Sequence, residues 1–253
     1  MTVTFLGTGT SQGVPVIGCD CEVCISADKH DKRLRTSIMV EAQGKVIVID
    51  TGPDFRYQML REGVKHLDAV VFTHEHKDHT GGLDDIRAFN YLQQEPTDVY
   101  AVPRVQASLK KEFAYIFAEY QYPGIPKINL HTIGTEPFKV GPVKFTPIEV
   151  VHYKLPVLGF RIHDFTYITD AKTITDAEVE KIMGSKVLVI NALQKQPHIS
   201  HFTFDEAVAF AKRVGAETTY FTHISHRLGK HADVSTELPA GIELAYDGLK
   251  VEL

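Results

Sequence analysis

The stretch His74-Glu75-His76-Lys77-Asp78-His79 decides how the rest of the chain is read. Three imidazoles and the Asp78 carboxylate fall within six residues, directly after the β-branched and apolar run 69–73 and before Thr80-Gly81-Gly82. Imidazole and carboxylate are the usual ligands of borderline divalent metals such as zinc. In an extended segment, side chains two positions apart point the same way. His74 and His76 therefore share a side, while Asp78 and His79 fall where the chain turns into the next helix. One loop then serves two adjacent metal ions. A lone His-x-His would be an ordinary solvated loop, but the longer pattern at a strand end is not.

The same placement recurs along the chain. Asp50 follows the run 46–49, Asp170 follows 167–169 and His223 follows 219–222. Sheets that bind ligands commonly do so just beyond the carboxyl ends of their strands. Hydrophobic periodicity predicts strands over 2–6, 37–41, 45–50, 69–73, 98–102, 143–150, 157–162, 166–169, 187–191, 219–222, 241–246 and 249–253. Helices are expected over 54–62, 83–93, 104–118, 176–183 and 204–214, the last opened by the capping-box pattern Thr203-x-x-Glu206. Asp247-Gly248 is a hairpin signal between the final two strands. The continuous apolar runs 46–49 and 187–190 read as strands buried on both faces, so two sheets with helices outside satisfy the pattern. The Pro/Gly-bearing aromatic stretch 119–137 reads as an excursion, and Phe113, Phe117 and Tyr120, at helical spacing, read as core. Residues 1–253 are taken as one α/β domain.

With 43% hydrophobic and 23% charged residues over 253 positions, the chain can bury a sizeable core, which excludes the disordered and low-complexity classes. Its 27 basic and 32 acidic side chains leave a net charge of −5, which weighs against general electrostatic capture of nucleic acid and leaves only a local basic groove open. No apolar run reaches the ~18–20 residues needed to span a bilayer. The first basic residue is Lys29, so no secretory signal is read at the start and the expected location is cytoplasmic. The 3 cysteines, Cys19, Cys21 and Cys24, fall within six residues. An odd, clustered set is a poor disulfide framework and a plausible metal clip.

The histidine–aspartate stretch resembles the signature of the metallo-β-lactamase superfamily, whose members are di-metal hydrolases with a four-layer αββα sandwich of two mixed sheets and flanking helices. The remaining ligands of that family are found in order at His152, Asp170 and His223. The resemblance implies one metal on His74, His76 and His152, a second on Asp78, His79 and His223, and Asp170 bridging them. Zinc or manganese are the ions it suggests, although a His/Asp site also accepts iron or nickel. Asp50 matches the superfamily's early aspartate and is read as orienting a ligand histidine.

Gly7-Thr8-Gly9-Thr10-Ser11-Gln12-Gly13-Val14-Pro15 resembles the opening of the PhnP-like phosphodiesterase branch. That resemblance implies a structural zinc on Cys19, Cys21, Cys24 and His226, and a catalytic role for His201, with His198 as a nearby competitor. The implied reaction is hydrolysis of a small, in some cases cyclic, phosphodiester by a metal-bridging hydroxide, with Asp78 and His201 as catalytic residues. Three alternatives stand beside it: a tRNase Z-like endoribonuclease, a thioester or lactone hydrolase, and a non-catalytic metal-dependent binding protein. The first is weakened because no segment resembles that family's long basic arm, the last because every ligand position is filled. No membrane partner is expected, and a homodimer stays open.

Overall fold

The computed structural model describes residues 1–120 and 122–253. Its strands are Thr2–Gly7 (β1), Ser37–Ala42 (β2), Lys45–Ile49 (β3), Ala69–Val71 (β4), Thr97–Ala101 (β5), Ile128–Thr132 (β6), Phe138–Val140 (β7), Val143–His152 (β8), Leu155–Ile162 (β9), Phe165–Tyr167 (β10), Thr173–Ile174 (β11), Val187–Asn191 (β12), Thr218–Thr222 (β13), Ile242–Leu244 (β14) and Lys250–Glu252 (β15). Its α-helices are Phe55–Glu62 (α1), Lys77–Thr80 (α2), Arg87–Gln93 (α3), Pro103–Glu112 (α4), Asp176–Ile182 (α5), Phe204–Val214 (α6) and His231–Ser235 (α7).

One sheet runs β15-β1-β2-β3-β4-β5-β6, and the other runs β11-β8-β9-β10-β12-β13-β14 with β7 beside β8. Each begins with antiparallel neighbours and continues in parallel, β3 to β6 in the first and β10 to β14 in the second. A parallel neighbour requires a crossover, and the crossovers carry helices onto the outer faces. Phe55, Met59, Phe89, Val105 and Leu109 cover Val48, Val70 and Val99 of the first sheet. Val179, Ile182, Ala207 and Phe210 cover Leu188, Ile190 and Phe221 of the second. Between the sheets, Phe5, Val40, Ile47 and Val71 meet Phe145, Phe160, Tyr167 and Val189. Each fully buried phenylalanine there contributes about 1.5–3 kcal/mol. Alternate residues of β3, Ile47 inward and Val48 outward, thus feed two cores. The four layers are those of the expected αββα sandwich.

Helix α6 has the predicted cap. Thr203 Oγ1 accepts the Glu206 N–H, and the Glu206 carboxylate accepts the Thr203 N–H at 2.8 Å. Just before it, the Phe202 N–H donates to Ala171 O and its carbonyl accepts from Leu193 N–H, which fixes the loop carrying His201.

Several expectations are corrected. Residues 83–93 split into a 3-10 turn, Leu83–Ile86, and α3. The predicted helix 104–118 stops at Glu112, because Phe113 leaves helical geometry with ψ at +44° and is itself buried in the outer core. Tyr120 is 85% exposed and is not core. The excursion 119–137 contributes the edge strand β6. The Asp247-Gly248 hairpin does not form: β14 pairs with β13 in one sheet and β15 with β1 in the other. The Asp247 carboxylate accepts from Leu34 N–H and Thr8 Oγ1, each at 2.8 Å, and Gly248 N–H donates to Phe5 O, so the turn carries the chain between sheets. Among the described residues no helix is long and apolar enough to cross a membrane.

Candidate metal centre

The strand ends deliver the predicted residues to one place. Asp50 follows β3, the loop 74–79 follows β4, His152 closes β8, Asp170 follows β10 and His223 follows β13. Three of them, Asp50, Asp170 and His223, have φ of +67°, +54° and +54°. A non-glycine residue in that left-handed region costs roughly 1–2 kcal/mol, which the packed sheets sustain to turn these side chains off their strands. The metal loop lies directly on residues 51–52. Thr51 N–H donates to His79 O and Gly82 N–H to Thr51 O, both at 2.8 Å, and a Cβ at Gly52 would stand 2.2 Å from Asp78 O. Only glycine admits that approach.

Asp170 is the common member of three ligand groups. The donor atoms of His74, His76 and Asp170 lie within 4.8 Å of one another, as do those of Asp78, His79, Asp170 and His223, and those of His152, Asp170 and His201. Its two oxygens face different partners: Oδ2 is 3.6 Å from His74 Nε2, whereas Oδ1 is 3.4 Å from His79 Nε2 and 3.2 Å from His223 Nε2. Asp78 Oδ2 adds contacts of 3.3 Å to His79 and 3.7 Å to His223. His152 groups with Asp170 and His201 rather than directly with His74 and His76. Its ring centroid is 6.1 Å from that of His74 and 5.3 Å from that of His76.

Hydrogen bonds set the tautomers. His79 Nδ1–H donates to Asp50 Oδ2 at 2.7 Å. The Thr73 hydroxyl donates to the same carboxylate, so it accepts from His74 Nδ1–H at 2.9 Å. His152 Nδ1–H donates to Ser200 O at 2.8 Å. In all three rings Nε2 is the nitrogen left facing the centre, which is how an imidazole is oriented for a metal. The buried Nε2 atoms of His74, His79 and His223 have no hydrogen-bond partner in the protein. That combination of orphaned imidazole nitrogens and carboxylates fits divalent ions.

The electrostatics agree. Burial pushes His74 well below its ordinary pKa, and burial with His152 lowers His76. Burial opposes charge on His79, but Asp78, Asp170 and Asp50 outweigh it and raise that imidazole. Burial likewise works to raise Asp78 and Asp170, and the surrounding histidines hold both well below the usual carboxylate range. Among the described residues, the ion-pair partners of Asp78 and Asp170 are all histidines. The same negative charge that draws a proton onto His79 draws a cation.

His201 is buried, its Nδ1 is unpaired, and its ring stands 4.4 Å from His152 and 4.7 Å from His223. Burial first, then His223, keeps it neutral. His198 belongs to none of the three groups and receives the Ser200 N–H instead.

The four clip residues also converge. Cys19, Cys21 and Cys24 Sγ lie 3.3, 3.3 and 3.6 Å from His226 Nδ1. A tetrahedral zinc with ordinary bond lengths has S···N edges of about 3.5 Å. A backbone N–H at Cys24 draws the Cys21 thiol down to about 6, while burial pushes Cys24 up to about 11.

Sequence reasoning missed the supports. Thr73 relays Asp50 to His74, Ser200 orients His152 through its carbonyl, and the Asn191 side-chain amide brackets Ala171 from both sides at 2.8 and 3.0 Å, steadying the turn after Asp170. A threonine ahead of His74 and an asparagine ending β12 were the available signals, and neither is distinctive alone.

A family model described as the beta-lactamase superfamily domain matches residues 45–224. The crystal structure of a new diphosphatase from the PhnP family superposes with a TM-score of 0.93 at 44% identity, covering 100% of this chain and 97% of that one. An octanoyltransferase from Porphyromonas gingivalis is 40% identical over 253 residues, which are 99% of this chain and 51% of that protein, so the chain spans about half the length of this curated relative. A ribonuclease Z from Mycobacterium sp. (strain KMS) is 24% identical, covering 99% of this chain and 95% of that protein.

Proposed function

We propose, from the premise that this chain belongs to the β-lactamase superfamily and is a PhnP-like metal-dependent hydrolase, that it is a di-metal phosphodiesterase acting on small phosphodiesters. The observation that carries the reading is the sharing of Asp170 by three ligand groups, with one oxygen turned to each side. His74, His76 and His152 would hold one ion, Asp78, His79 and His223 the other, with zinc or manganese as the candidates. When bound, two such ions supply an activated water at neutral pH and neutralise charge on phosphoryl oxygens.

The protein's own groups do the rest. Asp50 holds His79 directly and His74 through Thr73, so the two halves of the centre share one anchor. Asp78 adds an acceptor oxygen beside His79 and His223 that can align an attacking water. His201, neutral while the centre is empty of substrate, offers an N–H to a phosphoryl oxygen. The negative charge of the substrate then raises its proton affinity, so that it takes up a second proton from solvent and can pass one to the departing oxygen, returning to the neutral form. Cys19, Cys21, Cys24 and His226 would hold a structural zinc apart from the chemistry. Strand β15, returning from the second half of the chain into the first sheet, supports treating residues 1–253 as one hydrolase domain. Three free thiols arranged around a histidine suit a cytoplasmic setting.

Both a diphosphatase and a ribonuclease act at phosphorus, which supports this substrate class. The octanoyltransferase relative favours a second reading, attack at a carbonyl, although that protein is about twice as long. A panel assay separates them. With divalent metal supplied, bis-p-nitrophenyl phosphate and cyclic phosphodiesters should be hydrolysed, and a thioester and a pre-tRNA should not. Turnover of the thioester alone would overturn the phosphodiesterase reading.

A further inference from the structure

The loops that hold His152 leave an open hollow beside the candidate centre. β8 and β9 are joined by the two-residue turn Tyr153-Lys154, with His152 paired to Leu155. The bond from His152 Nδ1–H to Ser200 O ties this turn to the loop ahead of α6. Where the loops meet there is a cavity of about 360 Å³, lined by His76, His152, Tyr153, Lys154, Ile199 and Ser200. Two of its lining residues, His76 and His152, are candidate ligands, so the hollow adjoins the centre. The volume is at the low end for ligand pockets. It has room for one nucleoside-sized group.

Two large side chains at this hollow are not explained by packing. Tyr153 is 54% exposed and Ile199 67% exposed, and neither joins a core cluster. Tyr153 also has φ at +59°. At the first position of a two-residue hairpin turn that geometry normally calls for glycine or asparagine, and a bulky residue there is an outlier. Either of those residues would make the turn with less strain, so what the position supplies is the ring. Strained residues of this kind gather at ligand sites. Lys154 Nζ lies over the Tyr153 ring, 5.2 Å from its centroid, placing a cation beside it.

We propose that Tyr153 and Ile199 form a ring-binding subsite for the non-reacting arm of the phosphodiester, with Lys154 meeting the polar edge of that arm. The substrate class is then a diester carrying a nucleoside-like planar ring rather than a simple alkyl diester. This rests on the phosphodiesterase reading above. An aromatic platform recognises any base by its face, and binding energy from a remote group is available to the reacting centre.

The test uses two diesters with the same leaving group, thymidine 5′-(p-nitrophenyl phosphate) and methyl p-nitrophenyl phosphate, on the metal-loaded protein. The thymidine ester should be preferred in kcat/KM by about tenfold or more. Tyr153→Asn, which tolerates the left-handed backbone, should bring that ratio toward one. Tyr153→Phe should preserve it, and Ile199→Ala should reduce it by a smaller factor. Because the readout is a ratio within one preparation, a partly folded variant still reports. A Tyr153→Asn protein that keeps the wild-type ratio, or a wild-type protein without preference, would overturn the subsite and leave the phosphodiesterase standing. A wild-type protein that cleaves neither ester would bring down both.

Discussion

At the candidate metal centre every protein ligand stands at or just past a strand end or in the loop that follows one, and three imidazoles are held by a second hydrogen bond before any ion arrives. At the cysteine cluster three of the four donors sit on one loop, two of them half-buried, around a small apolar cluster of Val14, Val23 and Cys24. His226, its fourth donor, is brought in from 202 residues beyond Cys24. The first site is made by the sheets, which are stable for other reasons, and its geometry is imposed on the ligands at the cost of left-handed backbone at Asp50, Asp170 and His223. The second has little scaffold of its own, so an ion there would supply the rigidity the loop lacks. On the proposed reading, chemistry belongs with the imposed geometry and cross-linking with the other.

Substitutions in the two regions should therefore fail differently. Asp170→Asn has the largest expected effect: hydrolysis falls below detection and the centre loses its divalent ions, while the ion on the cysteines stays. Metal analysis beside turnover reads both, and a variant retaining both centre ions would show that the groups do not depend on Asp170. His201→Ala comes next. It should keep the centre ions and lower kcat by roughly 10²–10⁴ for an alkyl diester, but far less for a p-nitrophenyl diester, whose leaving oxyanion is already stable. His198→Ala is the control and should do little; the opposite result would exchange their roles. Cys21→Ser has the smallest effect on turnover. One ion per chain and about 5 °C or more of melting temperature should be lost, at ~2–4 °C per kcal/mol for a chain of this size, while hydrolysis per folded molecule persists. An unchanged metal content and melting temperature would remove the clip from the comparison.

What was legible in the sequence was chemistry at strand ends. His74, Asp170 and His223 stand out as polar terminators of strongly apolar strands and His76, Asp78 and His79 as close neighbours of His74, while joining them with His152 into one ligand set rested on the resemblance to the metallo-β-lactamase signature. Supports were not legible. Thr73 looks like any β-former, and a backbone carbonyl such as Ser200 O has no sequence signature. Local signals also lost to distant partners: Asp247-Gly248 would form a hairpin in isolation, but Thr8 and Leu34 capture Asp247. Strand β6 escaped because its Asn129 and His131 sit on a sheet edge, where a polar, partly exposed strand resembles a loop.

The return of β15 to β1 bears on how the protein is made. Thr2 pairs with Glu252 and Val3 with Val251. Synthesis delivers β1 early, and domains begin to organise from the amino end while translation continues. Until Lys250–Glu252 clears the ribosome, the outer edge of β1 has no neighbour, although Val3 and Phe5 already belong to the core between the sheets. A stalled nascent chain would present an open, apolar strand edge, the feature most prone to pair with another chain. The strand order of the first sheet thus leaves β1 paired on one side only until residues 250–252 are made.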